Sequence, residues 1–188
     1  MTKKNKLPGR LIIISGPSGV GKDSVISRIR FLNKSLSYSI SFTTRSIRPG
    51  EKDGVSYHFV SVEDFERKIA NNEFLEYAKY CDNYYGTLGK PVLSAINSGR
   101  DIVLKIEVEG AEKVRSLGLN GLSIFISPPS FDELKERISV RGVGTEDDVS
   151  KRLERVNYEM ERSKDYDFVV VNDLVDRCAH EILDILGY

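Results

Sequence analysis

The sequence predicts an α/β fold: a parallel sheet flanked by helices, with an inserted strand-rich subdomain and a helical lid. Three observations point there. From Pro91 onward, short β-branched runs alternate with amphipathic helical patterns, the order that builds parallel sheets covered on both faces. The run Leu11-Ile12-Ile13-Ile14 passes through a glycine-rich loop into another helical pattern. Between about residues 37 and 90 the alternation breaks into a strand-rich block, which reads as an insert. The expected division is a core at about 8–36, 91–134 and 165–188, an insert at about 37–90, and a lid at about 135–164.

Each element has its own signal. After the first strand and loop, Val25, Ile26, Ile29 and Leu32 space out one helix face. Residues 38–43 alternate as a strand, and residues 44–56 form a polar loop with Pro49-Gly50 and Asp53-Gly54 as turn signals. Residues 57–60 form a short strand. Ser61 caps a helix through Val62, Phe65 and Ile69, with Asp64 three residues on. Residues 74–80 read as a strand and residues 83–87 as a loop. Then come a helix with Val92 and Ile96, a strand at 102–106, a helix with Ala111, Val114 and Leu117, and a strand at 122–126. Ser130 caps a helix carrying Leu134 and Ile138 that ends near Arg141-Gly142; Thr145 opens a long helix reaching about Lys164. Residues 168–171 are the last strand, and Ile182, Leu183 and Leu186 mark the closing helix.

The totals narrow the class. A chain of 188 residues supports one domain with a sizeable core. Lys plus Arg number 28 and Asp plus Glu 28, so bulk charge argues for neither nucleic acid nor an anionic membrane. No apolar run approaches the roughly 20 residues of a membrane span. Cys81 and Cys178 match no metal spacing and read as reduced thiols, so the expected compartment is the cytoplasm.

Gly16-x4-Gly21-Lys22, set between strand and helix, is a phosphate cradle. Glycines let successive backbone N–H groups face one anion, the helix start adds its positive dipole end, and Lys22 adds a point charge. The last position departs from the pattern, with Asp23 in place of Ser or Thr. A nucleoside triphosphate is the ligand expected there. Arg45 and Arg48 flank a turn and suit a second phosphate, with Tyr57 and Tyr85 as phenolic donors; composition alone leaves a solvated surface loop as an alternative. Glu76 lies within an apolar strand, where a carboxylate needs partners such as the N–H donors of guanine. Arg137 and Arg141, at i and i+4, share a helix face and repel unless an anion joins them, and Arg152 follows beyond Gly142 and Gly144; an ordinary charged surface balanced by Glu133 and Glu136 is the alternative.

With these motifs the chain resembles the guanylate kinases from about Leu11 to its last helix. The resemblance rests on Gly16-Pro17-Ser18-Gly19-Val20-Gly21-Lys22 and on Ser39-x-Ser41-x-x-Thr44-Arg45-x-x-Arg48-x-Gly50-Glu51 followed by Gly54-x-x-Tyr57-x-Phe59. Phe74-Leu75-Glu76-Tyr77, Asn83-Tyr84-Tyr85-Gly86-Thr87, Pro128-Pro129-Ser130 and Val171-Asn172-Asp173 extend it. It implies a P-loop-type parallel sheet with a GMP-binding insert and a mobile lid, and the reaction ATP + GMP → ADP + GDP with Mg²⁺ on the donor phosphates. By resemblance, ATP is held by Gly16, Pro17, Ser18, Gly19, Val20, Gly21, Lys22, Asp23, Ser24 and Asn172. GMP, and dGMP with it, is held by Ser41, Glu76, Thr87 and Glu107 on the base and by Arg45, Arg48, Glu51, Tyr57 and Tyr85 on or behind the phosphate. Lys22, Arg45, Arg137, Arg141 and Arg152 are the residues expected to act on the moving phosphoryl group. No nucleic acid or membrane partner is expected, and the chain is expected as monomer or homodimer.

Two positions depart from the family pattern. Asp23 stands where Ser or Gly is common, and Lys105, in Leu104-Lys105-Ile106-Glu107, replaces an acid. We expect the two as a charge-swapped pair, with Asp23 a candidate Mg²⁺ ligand; the alternative is that Lys105 points outward and Asp23 suits the first helical turn. Two other readings remain. Kinase-like scaffold modules bind phosphopeptides but typically degrade the phosphate loop, which is intact here. A kinase of the same fold for another acceptor is disfavoured by the full set Ser41, Arg45, Arg48, Tyr57 and Glu76.

Overall fold

In the computed structural model, β1 (Leu11–Ser15) is buried along its whole length, as a strand covered on both faces must be. The structure describes residues 7–80, 82–119, 121–140 and 146–188, with the side chains of these except residues 80, 138–140 and 146–153. The chain leaves β1 through the glycine-rich loop into α1 (Lys22–Leu32), which buries Val25, Ile26 and Ile29. Then follow β2 (Ser37–Tyr38), β3 (Phe42–Thr43), β4 (His58–Phe59), α2 (Val62–Ala70), β5 (Phe74–Tyr80), β6 (Asn83–Leu88), α3 (Gly89–Asn97) and β7 (Ile102–Lys105). The remaining elements are α4 (Val108–Ser116), β8 (Gly121–Ser127), α5 (Phe131–Val140), α6 (Glu146–Glu161), β9 (Phe168–Val171) and α7 (Val175–Leu186). Hydrogen bonding orders five strands as β2-β7-β1-β8-β9 and four as β4-β3-β6-β5. The parallel registers include Ser37↔Ile102 and Ile124↔Phe168.

Contacts divide the chain into two units: one runs to Ile13 and resumes over Ser35–Leu122, the other comprises Ile14–Lys34 and Ser123–Tyr188. In the first, the four-stranded sheet is closed by aromatic packing. Phe65 of α2 is fully buried and stacks on Phe74 at 4.4 Å and on Tyr84 at 5.2 Å between centroids. The Ser61 hydroxyl caps α2, accepting from Asp64 N–H at 3.1 Å, as the spacing predicts. Residues 83–87, expected as a loop, form β6 instead and pair antiparallel with β5 from Tyr80↔Asn83 to Phe74↔Leu88. Asp82 takes the left-handed φ of 61° just before β6, a turn conformation, and the tyrosines that follow run as a strand along β5. The strand expected over 38–43 is two strands: residues 37–38 pair with β7, and residues 42–43 pair with β4 and β6. Alternation reports a pleat but not which sheet receives it.

In the second unit α1 packs directly against α7, and Val25, Ile29, Cys178, Ile182 and Leu186 are buried. Ser130 Oγ caps α5, accepting from Glu133 N–H at 3.2 Å. Helix α6 stops at Glu161, and Arg162–Asp165 tighten into a 3₁₀ turn before Tyr166. Arg141, Gly142, Gly144 and Thr145, read as a hinge and helix start, lie outside the described residues.

Candidate functional site

The residues expected to form the site fall into two clusters, one in each unit. The phosphate loop belongs to the second. Gly16, Gly19 and Gly21 have φ of 149°, 83° and 96°, a region that side chains disfavour. Gly21 also has no room for one, since a Cβ there would lie 2.6 Å from Asn172 Nδ2. Lys22 Nζ donates to the carbonyls of Gly16 at 2.5 Å and Pro17 at 3.2 Å, which folds the ammonium back across the loop. Gly21, the residue before α1, makes no side-chain cap to the helix start, whose N–H groups and positive dipole end face the loop.

Beside the loop lies a cavity of about 400 Å³ lined by Gly19, Gly21, Ser24, Glu136, Arg137, Asn172, Asp173 and Val175. The sequence expectations for Gly19, Gly21, Ser24, Arg137 and Asn172 meet here. Asn172 is buried; its Nδ2 donates to Val20 O at 2.7 Å, which ties the loop to the end of β9. Arg137 donates to Asn172 O at 3.4 Å and to Glu133 at 3.1 Å. Asp23 is exposed in the first turn of α1. Arg141 lies outside the described residues, and at Arg152 only the helix backbone is described.

Glu159 was not among the expected site residues. It is fully buried, and its carboxylate accepts from the Ser18 N–H of the loop at 3.1 Å and from Arg155 Nε at 3.2 Å. A signal was present: Glu159 falls three residues after the buried Val156, so the apolar stripe of α6 carries an acid where packing alone would favour an aliphatic.

The second cluster lies wholly in the first unit. Glu76, 5% exposed, sits on β5 opposite Thr87, whose hydroxyl is 3.3 Å from that of Ser41. Burial pushes the Glu76 carboxyl up to about 7; hydrogen bonding from Thr87 and the charge of Lys113 pull against this, while Glu107 adds to it. Gly110 of α4 makes the space: a Cβ there would overlap Glu76 Oε2. Nearby, Arg45 donates both guanidinium arms to Glu51, at 2.7 and 2.5 Å, and Arg48 N–H donates to Glu51 at 2.9 Å. Arg45 holds the Glu51 carboxyl below its ordinary range. The guanidinium lies over the Tyr57 ring at 5.1 Å and the Phe59 ring at 5.5 Å, and Tyr85 packs edge-on to Tyr57 at 6.0 Å. Burial raises the Tyr85 phenol. Ser41, Arg45, Glu51, Tyr57, Glu76, Tyr85, Thr87 and Glu107 therefore share one region, while the Arg48 side chain stands exposed at its rim. Lys105 joins them: its ammonium lies 4.4 Å from the Tyr57 ring centre. Gly110 and Lys113 were missed because neither belongs to a motif; only the fold brings them to Glu76.

The pairing of a phosphate cradle with a buried acid–arginine cluster has relatives. Residues 8–187 match the family model described as guanylate kinase. A guanylate kinase of Nostoc sp. is 47% identical over 172 residues, covering 92% of this chain and 86% of that protein. One from Halalkalibacterium halodurans is 48% identical over 181 residues, covering 96% and 89%. The crystal structure of the guanylate kinase from Anaplasma phagocytophilum superposes with a TM-score of 0.79 at 32% identity, covering 97% of this chain and 86% of that one.

Proposed function

The chain belongs to the guanylate kinase family, and from that premise we propose how its residues divide the work of moving a phosphoryl group from ATP to GMP. As an ATP:GMP phosphotransferase it yields ADP and GDP. Such a reaction asks little covalent chemistry of the protein; it asks for two held substrates, in-line geometry and charge neutralisation. On the donor side, the loop from Gly16 to Ser24 takes the ATP phosphates through backbone N–H groups other than those of Pro17, which has none, and Ser18, which Glu159 holds, with Lys22 turning from its loop carbonyls to the β/γ-phosphates. Asn172 holds the loop and borders the donor cavity, and Arg137, Arg141 and Arg152 neutralise the transferred group.

On the acceptor side, Arg45 grips the GMP phosphate with Tyr57 and Tyr85, backed by Glu51 and aided by Arg48 at the rim. Glu76 and Glu107, with Ser41 and Thr87, read guanine N1–H and N2–H₂. The observation that carries this reading is Glu76: a carboxylate this deep, beside two hydroxyls and with its proton affinity raised by burial, is stabilised by a ligand that donates two N–H groups. No residue in this scheme reads the ribose 2′-hydroxyl, so we propose dGMP as an acceptor as well.

Mg²⁺ fits the donor loop. Asp23 offers an exposed hard oxygen donor and Ser24 a hydroxyl at the cavity, suiting an ion that takes one or two protein oxygens and completes its shell with phosphates and water. When bound, the ion would neutralise charge on the donor phosphates. Asp23 and Lys105, the exchanged charges, are proposed as a functional couple. Among the described residues no helix is long and apolar enough to cross a membrane, and we propose the cytoplasm as the compartment. The test is ADP formation from ATP and Mg²⁺ with GMP, dGMP, AMP, CMP, UMP or no acceptor. Turnover confined to GMP and dGMP supports the assignment. GMP binding without turnover in either Mg²⁺ or Mn²⁺ would assign the fold a binding role instead.

A further inference from the structure

We propose that Glu159 is a positioning residue for the donor phosphate loop, a buried carboxylate that pins Ser18 and fixes the register of α6 against the loop. The proposal rests on the donor-loop reading above. It starts from cost. An ionised carboxylate with no solvent exposure is strongly disfavoured unless donors surround it, and replacing a buried ion pair by apolar packing is often neutral or stabilising. An acid at this position therefore needs a reason beyond stability. Helix stability is not that reason: Arg155 precedes Glu159 by four residues, the less favourable order for an i,i+4 pair.

The hydrogen bonds supply the reason. Glu159 Oε2 accepts from Ser18 N–H at 3.1 Å while Oε1 accepts from Arg155 Nε at 3.2 Å. Ser18 and Glu159 are both absent from the lining of the donor cavity, whereas Gly19 and Gly21 line it, so the carboxylate grips the loop away from the cavity. The rest of the loop is held through its carbonyls: Gly16 and Pro17 by Lys22, and Val20 by Asn172. Glu159 takes an N–H, and it does so from a different element, the C-terminal half of α6. A carboxylate anchored to Ser18 thus sets how far along its axis α6 sits relative to the loop.

The test uses Glu159→Gln, Glu159→Leu and Glu159→Asp in the full chain. Readouts are steady-state KM for ATP and for GMP, ADP binding by calorimetry, thermal midpoint, and hydrogen exchange of the loop peptide containing Ser18. Gln keeps an acceptor at the same reach, so loop protection and the KM for ATP are expected within about threefold of the parent. Leu removes the acceptor, and Asp is one methylene too short. Both are expected to raise the KM for ATP and the Kd for ADP about tenfold or more, to lose loop protection and to leave the KM for GMP unchanged. If Leu does not fold, Asp carries the same comparison. A Leu or Asp variant with parental ATP parameters and a lowered thermal midpoint overturns the proposal, because it makes Glu159 merely structural. Failure of the parent chain itself to bind ADP would instead overturn the donor-loop reading.

Discussion

Glu76→Gln separates what the buried carboxyl does for binding from what it costs the fold. An ordinary glutamate titrates at 4.5, and burial raises Glu76 to about 7. At about 1.36 kcal/mol for each pH unit, that gap amounts to about 3 kcal/mol. The sign follows from proton counting. Below 4.5 both folded and unfolded chains hold the proton and stability is undiminished. Between 4.5 and 7 the unfolded chain releases it while the fold keeps it, so stability declines as pH rises; above 7 the loss is complete. Gln fills nearly the same volume and does not ionise, so its stability lacks this decline. Urea unfolding of both proteins between pH 4.5 and 8 is expected to show Glu76→Gln gaining about 3 kcal/mol on the parent across that range, or about 6–12 °C in thermal midpoint for a chain of this size. Binding moves the other way. The amide offers guanine one acceptor and an NH₂ that opposes its donors, so the affinity for GMP is expected to fall about 100-fold while that for ATP holds. Parallel pH–stability curves for the two proteins would refute the claim that burial, rather than a persistent charge partner, governs Glu76.

Arg45→Lys keeps a positive charge but loses the fork that meets Glu51 with two arms; kcat/KM for GMP is expected to drop about 100-fold in coupled steady-state assays, with the KM for ATP little changed. Gly110→Ala pushes a methyl group into Glu76 Oε2, and the KM for GMP is expected to rise about tenfold, with discrimination against AMP eroded in the same assay. For the exchanged charges, Lys105→Asp alone is expected to lower kcat/KM about 100-fold, and adding Asp23→Ser to restore most of it. Losses that simply add in the double variant would show that the two positions act separately.

What the sequence disclosed and what it hid follow from the range of the interactions. The phosphate loop is written in consecutive residues because its work is done by one turn of backbone, where glycines at φ of 83° and 96° and a lysine one residue later leave a fixed spacing. Arg45, Arg48 and Glu51 are legible for the same reason: a turn of seven residues brings them together, and Glu51 closes on Arg45 within it. The β5–β6 hairpin was half legible. Its first strand alternates, but its second reads as a polar, glycine-bearing loop until Asp82 is seen to reverse the chain. Contacts between distant segments left no spacing to find. Gly110 matters because α4 approaches β5, Lys105 because it meets the Tyr57 ring, and Glu159 because a late helix reaches a loop 141 residues earlier. Such residues still mark themselves by breaking a local rule: an acid on an apolar stripe, a base on a core strand. A rule broken at a buried position costs free energy, and the fold keeps it only where a partner offsets that cost. Glu76 and Glu159 are both such breaks: Glu76 lies beside Thr87 and Ser41, in the region we propose for the acceptor base, and Glu159 accepts from the Ser18 N–H of the loop.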